Sequence, residues 1–312
     1  MAIKLLTEEI INQIAAGEVI ENPAAVIKEL VENSIDAKSS LIEVEIEDYG
    51  LKTIIVKDNG VGISMEDLLK APLRHATSKI SNFNDLYNIT TMGFRGEAIA
   101  SIFSIANTKI ISKARSSDDA YEISSVDISK LKKSECPKGT QMIVKDLFYN
   151  TPARKKYLKS NNLELRSIIE VMNKFTIFHR NIKFVLKHNG KSLMNKPIFD
   201  SLEDNLYYIF GKELKDNLLE INGSLKGLKV VGFLAKPSSI SYGVKKNQHI
   251  FVNSRFVKSR LINKAMYEGF GTNLMEGRHP FFVIFIDIDP EIIDVNVHPT
   301  KIEIKFENEL EI

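Results

Sequence analysis

Apolar residues between Pro23 and Ile35 recur at three- and four-residue intervals. Val26, Ile27, Leu30, Val31 and Ile35 share one side of a helix turning about 100° per residue. Asn22 is placed to cap that helix, and Pro23 takes its first position, where a missing N–H removes nothing. A shorter helix precedes it, from Thr7 to a stop at Gly17. The period then changes. Leu41–Glu47 alternates and Thr53–Asp58 is rich in β-branched residues, so two strands flank a turn at Asp48-Tyr49-Gly50. Ser64 with Asp67 begins a short helix in a capping-box pattern. From Ala71 to Glu97 no period holds. That polar segment, with Gly93 and Gly96, reads as a long, partly irregular loop of the kind that carries function.

Strands resume at Thr108–Ser112 and Thr140–Leu147, followed by a helix over Leu163–Phe178 and a strand over Lys183–Lys187. Pro197 marks a boundary between Asn195 and Ser201. Beyond it the pattern predicts helices at Leu202–Phe210 and Ser259–Phe270. It also predicts strands at Lys229–Leu234, His249–Val252, Phe281–Ile288 and Ile302–Phe306. No internal repeat or low-complexity tract is present. Both halves are expected to be α+β sandwiches, with helices on one face of mostly antiparallel or mixed sheets. A length of 312 residues also favours two domains, 1–198 and 199–312.

Composition narrows the class without naming a function. Apolar residues make up 44% and charged residues 26%, as in ordinary globular chains. No apolar stretch has the length of a membrane helix, and Met1–Leu6 is too short and too weakly basic for a secretion signal. The single cysteine, Cys136, excludes an internal disulfide framework and a multi-cysteine zinc site, so a reducing intracellular compartment is expected. The net charge of +2 marks no general nucleic-acid binder. Its distribution says more. Lys245, Lys246, Arg255, Lys258, Arg260 and Lys264 lie in one stretch without Asp or Glu, leaving the remainder net negative.

Candidate chemistry gathers in the first half. Glu29, Asn33 and Asp36 fall within about 60° on the polar side of the second helix. A carboxylate one turn from a carboxamide suits a general base beside a hard-cation ligand, although the pair alone also fits a solvated helix face. Asp58-Asn59-Gly60-Val61-Gly62 follows a strand; its carboxylate could accept from an exocyclic amine, and the segment also fits a tight Asx turn. Gly93-Phe94-Arg95-Gly96 leads from a loop into a helix, where backbone N–H groups can hold phosphate. Thr77, Ser78 and Lys79 add hydroxyls and a charge to the same loop. Gly139-Thr140 heads a strand. Gly190-Lys191-Ser192 imitates the end of a P-loop, but Val185 stands where its first glycine belongs.

In this order the four motifs resemble those of the GHKL ATPases. Longer segments resemble the MutL family of mismatch-repair proteins within that group. They are Gln13–Ile20, Lys28–Ala37, Arg74–Lys79, Gly93–Ala98, Asp146–Lys155 and Asp294–Lys301. The likeness runs over nearly the whole chain. It implies a GHKL α/β sandwich followed by a smaller, ribosomal-protein-like α+β domain. It also implies ATP and Mg2+ as cofactors. Glu29 would activate the attacking water, Asn33 would hold Mg2+, and Asp58 would read adenine, with Gly60, Gly62 and Thr140 beside it. Thr77, Ser78, Lys79, Gly93, Phe94, Arg95 and Gly96 would belong to a lid over the phosphates. Lys301, at a loop tip broken by Pro299, would reach the γ-phosphate from the second domain; a loop-tip lysine also fits a solvated surface.

The resemblance further implies slow ATP hydrolysis and pairing with a second copy when ATP is bound. DNA binding without sequence preference would use Lys245, Lys246, Arg255, Lys258, Arg260 and Lys264, with a second basic cluster at Arg154, Lys155, Lys156 and Lys159. Expected partners are the mismatch-recognition protein MutS and a downstream repair endonuclease or helicase. No membrane association is expected. The setting would be cytoplasmic and nucleoid-associated in a bacterium, nuclear in a eukaryote. Proteins of the family carry a further carboxyl-terminal region, so a chain ending at Ile312 is expected to be an amino-terminal piece without nuclease activity. Two other readings use the same motifs: the ATPase subunit of a type II topoisomerase, and a nucleotide-dependent DNA-binding adaptor without turnover.

Overall fold

The computed structural model describes residues 5, 7–79, 92, 96–214, 216–225, 227–236, 239–245, 247–290, 293–294 and 305–306. The described residues up to Ile198 form one compact unit and those from Phe199 a second.

In the first unit, helices α1 (Glu8–Val19) and α2 (Pro23–Asp36) are followed by strands β1 (Leu41–Glu47) and β2 (Thr53–Asp58). Then come α3 (Met65–Lys70), α4 (Ala98–Ile105), β3 (Asn107–Lys113), β4 (Ala120–Ser124), β5 (Asp127–Ser134) and β6 (Gly139–Lys145). Helices α5 (Pro152–Lys156) and α6 (Asn161–Phe178) lead to the closing hairpin of β7 (Lys183–His188) and β8 (Lys191–Lys196). The eight strands form one sheet in the order β5-β4-β3-β6-β2-β1-β7-β8. Only the β1–β7 pairing is parallel. Asn22 caps α2 as expected, its side chain accepting from the Ala25 N–H at 2.9 Å.

The alternation in β1 is a burial pattern. Ile42, Val44 and Ile46 are enclosed, while Leu41, Glu43, Glu45 and Glu47 sit on the other face. Ile54 and Val56 of β2 join them against Val26, Ile27, Leu30 and Val31 of α2 and Ile168 and Met172 of α6. Each such side chain contributes about 1.5–3 kcal/mol through burial. The apolar stripe of α2 is thereby committed to the sheet, and its polar face is left for chemistry.

Two local readings change. The helix at Thr7 does not stop at Gly17 but runs to Val19. Gly17 leaves room for the Arg154 guanidinium: a Cβ there would lie 2.2 Å from it and push that side-chain end off the Ile20 carbonyl, to which it donates at 2.9 Å. Strands β4, β5 and β8 were not predicted. For β8 the signal was present, because Asn189-Gly190, both at positive φ, forms the two-residue hairpin turn that the P-loop imitation conceals.

The second unit contains α7 (Leu202–Phe210), β9 (Leu218–Leu225), β10 (Leu228–Ala235), β11 (Ser241–Tyr242), β12 (Gln248–Val252), β13 (Arg255–Val257) and α8 (Arg260–Phe270). After these come β14 (His279–Pro280), β15 (Phe282–Asp287), β16 (Ile293–Asp294) and β17 (Lys305–Phe306). A five-stranded mixed sheet has the order β13-β12-β15-β10-β9, with β12 parallel to β15. Ile262 of α8 packs against Ile250, Val252, Phe282 and Ile284. Most of the strand expected at Ile302–Phe306 lies outside the described residues.

Candidate active site

Helix α2 carries one side of the site. Its apolar stripe faces the sheet, so Glu29, Asn33 and Asp36 come out together on the opposite face, four and three residues apart. Glu29 is only 24% exposed, and its Oε1 lies 2.9 Å from the Lys28 ammonium. Lys28 also reaches Glu32 at 3.0 Å. Burial opposes the charge on Lys28, but the Glu32 and Glu29 carboxylates outweigh it and hold the ammonium well above its ordinary range. The candidate base is thus held by a neighbouring cation.

One turn further on, Lys79 crosses from the loop after α3. Its ammonium lies 2.9 Å from Asn33 Oδ1 and 2.5 Å from Asp36 Oδ2. The other Asp36 oxygen accepts from the Met92 N–H at 3.2 Å. An amide oxygen and a carboxylate oxygen therefore share one cation. These hard oxygen donors are the kind Mg2+ takes, so the residues fit that ion.

The other side is made by strand ends. Asp58 ends β2, pairs with Thr140 at the head of β6, and accepts from Ser34 Oγ at 2.9 Å and the Gly60 N–H at 2.8 Å. Burial pushes its carboxyl upward, against the Gly60 N–H, the Ser34 hydroxyl and the Thr140 N–H, which favour the ion. Two glycines make the approach possible. A Cβ on Gly139 (φ +124°) would lie 2.0 Å from the Asp58 carbonyl, and one on Gly62 (φ +71°) 2.2 Å from the Lys113 carbonyl. Ser112 of β3 ties the strand ends together: its hydroxyl is 2.9 Å from Thr140 Oγ1, donates to the Gly139 carbonyl at 3.0 Å, and accepts from the Ile63 N–H at 2.8 Å. Asn59 accepts from the Ser40 and Leu41 N–H groups, pinning the turn from α2 into β1.

Asp58, Gly60, Gly62 and Thr140 thus come together, and Ser34 joins them to the helix that bears Glu29 and Asn33. Of the loop residues, Thr77 accepts from the Lys79 N–H, Ser78 is exposed, and Gly96 (φ +63°) sits where a Cβ would meet the Ala76 carbonyl at 2.4 Å. Gly93, Phe94, Arg95, Lys246 and Lys301 lie outside the described residues. Sequence reasoning missed Ser34, Ser112, Asn59 and Lys28. Only Lys28, beside two acids on a helix, had a local signal.

The basic residues of the second unit are mostly on its surface. Arg260 and Lys264 are exposed on α8, with Lys264 3.7 Å from Glu268. Lys258 is exposed, Arg255 is half-buried on β13, and Lys245 is exposed over the Tyr267 ring. In the first unit Lys155, Lys156 and Lys159 are exposed. Arg154 departs from the expected basic cluster, because its guanidinium is engaged at the end of α1.

Comparison with known proteins places both units. Residues 21–151 match the family of histidine kinase-, DNA gyrase B- and HSP90-like ATPases, and residues 206–312 match the DNA mismatch repair protein C-terminal domain. The DNA mismatch repair protein MutL of Clostridium acetobutylicum is 44% identical over 100% of this chain and 50% of its own length. MutL of Clostridium botulinum (strain ATCC 19397 / Type A) is 47% identical over 98% of this chain and 46% of its own. The chain spans about half the length of the curated relatives it matches. Among solved structures, the N-terminal domain of a DNA repair protein aligns with a TM-score of 0.79 at 28% identity, covering 96% of this chain and 93% of that one. The Aquifex aeolicus MutL ATPase domain complexed with ADP aligns with a TM-score of 0.66 at 26% identity, covering 87% and 94%. The first unit accordingly has the GHKL ATPase fold and is followed by a second α+β domain, and the chain belongs to the MutL family of DNA mismatch repair proteins.

Proposed function

We propose that this chain binds ATP with Mg2+ and hydrolyses it slowly, as the switch of a mismatch-repair protein. The observation that carries the reading is the Ser34–Asp58 hydrogen bond, which joins the helix bearing Glu29 and Asn33 to the strand end bearing Asp58. Asp58 accepts the adenine amino group, with Gly60, Gly62 and Thr140 around it. Asn33 offers its amide oxygen to Mg2+, which when bound neutralises phosphate charge. Glu29 accepts a proton from the attacking water, and Lys28 holds its carboxylate in place. The solved Aquifex relative complexed with ADP supports nucleotide binding in this fold.

The further roles follow the family. Thr77, Ser78, Lys79 and the Gly93–Gly96 segment close over the phosphates, and Lys301 contacts the γ-phosphate. ATP pairs two copies, and the exposed Arg260, Lys264, Lys258 and Lys245 meet DNA phosphates without sequence preference. MutS and a downstream endonuclease or helicase read the nucleotide state. The test is ATP binding and ATP turnover, with and without DNA, on the parent chain and Glu29→Ala. The variant is expected to bind ATP and lose hydrolysis; turnover at the parent rate rejects the base assignment.

A further inference from the structure

We propose that Lys79 is a resident counter-cation on the seat that Asn33 offers to Mg2+, so that loading the metal exchanges one cation for another and breaks the tie between residue 79 and α2. The inference rests on the reading of Asn33 as the metal ligand.

Lys79 is not a solvated loop lysine. Its side chain is 19% exposed and that of its partner Asp36 is 12% exposed. Two of the three ammonium donors point at Asn33 Oδ1 and Asp36 Oδ2, both on the polar face of α2. An ammonium and a divalent ion compete for the Asn33 oxygen: it has two lone pairs, but like charges repel strongly at the few ångströms that would separate them. Mg2+ therefore gains Asn33 only as Lys79 leaves it.

Asp36 gives that departure a consequence. One of its oxygens holds Lys79 and the other holds the Met92 N–H, so a single carboxylate ties residues 79 and 92 to α2. When Lys79 lets go, the tie at residue 79 is lost while the Met92 bond can stay. The freed ammonium stands next to Thr77 and Ser78, on the loop where an anionic triphosphate would supply its new partner. Metal-free nucleotide presents no competitor for Asn33 and leaves Lys79 in place. By linkage, whatever strengthens the Lys79–Asp36 contact weakens the metal, and the reverse.

Two measurements test this. In the nucleotide-free chain, Lys79→Met and Asp36→Asn should each lower the Tm, and the double variant should fall no further than the worse single one. Additive losses would show that no resident contact exists and overturn the proposal. Next, binding of a non-hydrolysable β,γ-imido analogue of ATP is titrated against Mg2+ in the parent, Lys79→Met and Lys79→Arg. Lys79→Met should reach half-maximal binding at several-fold lower Mg2+, and Lys79→Arg, which keeps a cation, should stay near the parent. An unchanged or raised Mg2+ midpoint in Lys79→Met, with the analogue still bound, overturns the exchange and leaves the nucleotide reading intact. A loss of affinity equal with and without Mg2+ makes Lys79 a simple phosphate ligand and also overturns it. A parent that binds no analogue at any Mg2+ concentration removes the nucleotide reading itself, and the exchange with it.

Discussion

Ser34 donates its hydroxyl to Asp58 Oδ2 across 2.9 Å, from a position 24 residues away in the chain. The Leu30 carbonyl of its own helix, 3.1 Å away, is a second and longer acceptor for the same proton, and Ser34 is 3% exposed. The residue after the candidate metal ligand thus orients the candidate adenine acceptor. Ser34→Ala leaves a partly buried carboxylate short of one donor, which costs about 1–3 kcal/mol. It is expected to weaken nucleotide binding about tenfold or more while the chain stays folded, measured by nucleotide titration alongside thermal unfolding. Parent-like affinity would separate Asp58 from nucleotide recognition.

Gly139 sets a second constraint on the same residue, at its backbone carbonyl. Its φ of +124° and the Asp58 carbonyl 2.0 Å from an added Cβ leave no room for a side chain. Gly139→Ala must either shift β6 away from β2 or strain the backbone, a loss of about 3 kcal/mol or more. Denaturant unfolding should show that loss. A stability within 1 kcal/mol of the parent, by the same order-of-magnitude reasoning, would refute the close approach.

The Gly17–Arg154 contact predicts a change of sign. In the parent, Gly17→Ala pushes the guanidinium off the Ile20 carbonyl and should cost about 1–2 kcal/mol. In an Arg154→Ala background the guanidinium clash is gone, and the helix preference of alanine should stabilise α1 by up to about 1 kcal/mol. A double-mutant cycle reads the difference; equal effects in both backgrounds contradict the packing.

His179 makes the fold sensitive to mild acid. Burial, and then the Lys196 ammonium, push its imidazole down from 6.5 to about 4, and its buried Nε2 has no hydrogen-bond partner. The unfolded chain takes up this proton near pH 6.5 and the folded chain only near pH 4. Stability therefore falls as pH drops through that window, by up to about 3 kcal/mol when titration is complete. His179→Gln should flatten the dependence of unfolding free energy on pH between 6.5 and 4, and a slope identical to the parent's would count against this assignment.

Much of the site was legible in the chain. The three- and four-residue spacing of Val26, Ile27, Leu30 and Val31 declared which face of α2 is buried, and by elimination which face carries Glu29, Asn33 and Asp36. The Asn22-Pro23 start and the order of the glycine motifs were equally local. Strands β5 and β9 were illegible for a physical reason. Each lies at an edge of its sheet and is largely exposed on both faces, so no alternation of apolar residues marks it.

What the chain determined by itself was therefore the set of elements that bury a face, and the residues those elements present. The tertiary structure alone decided who meets whom: Ser34 with Asp58, Ser112 with Thr140, Lys79 with Asn33 and Asp36, Arg154 with the end of α1. Burial leaves a period along the chain because every turn or alternate residue repeats the same environment. A hydrogen bond between two polar side chains leaves none. It depends on the register of strands and helices far apart in sequence, which forms only when they pack.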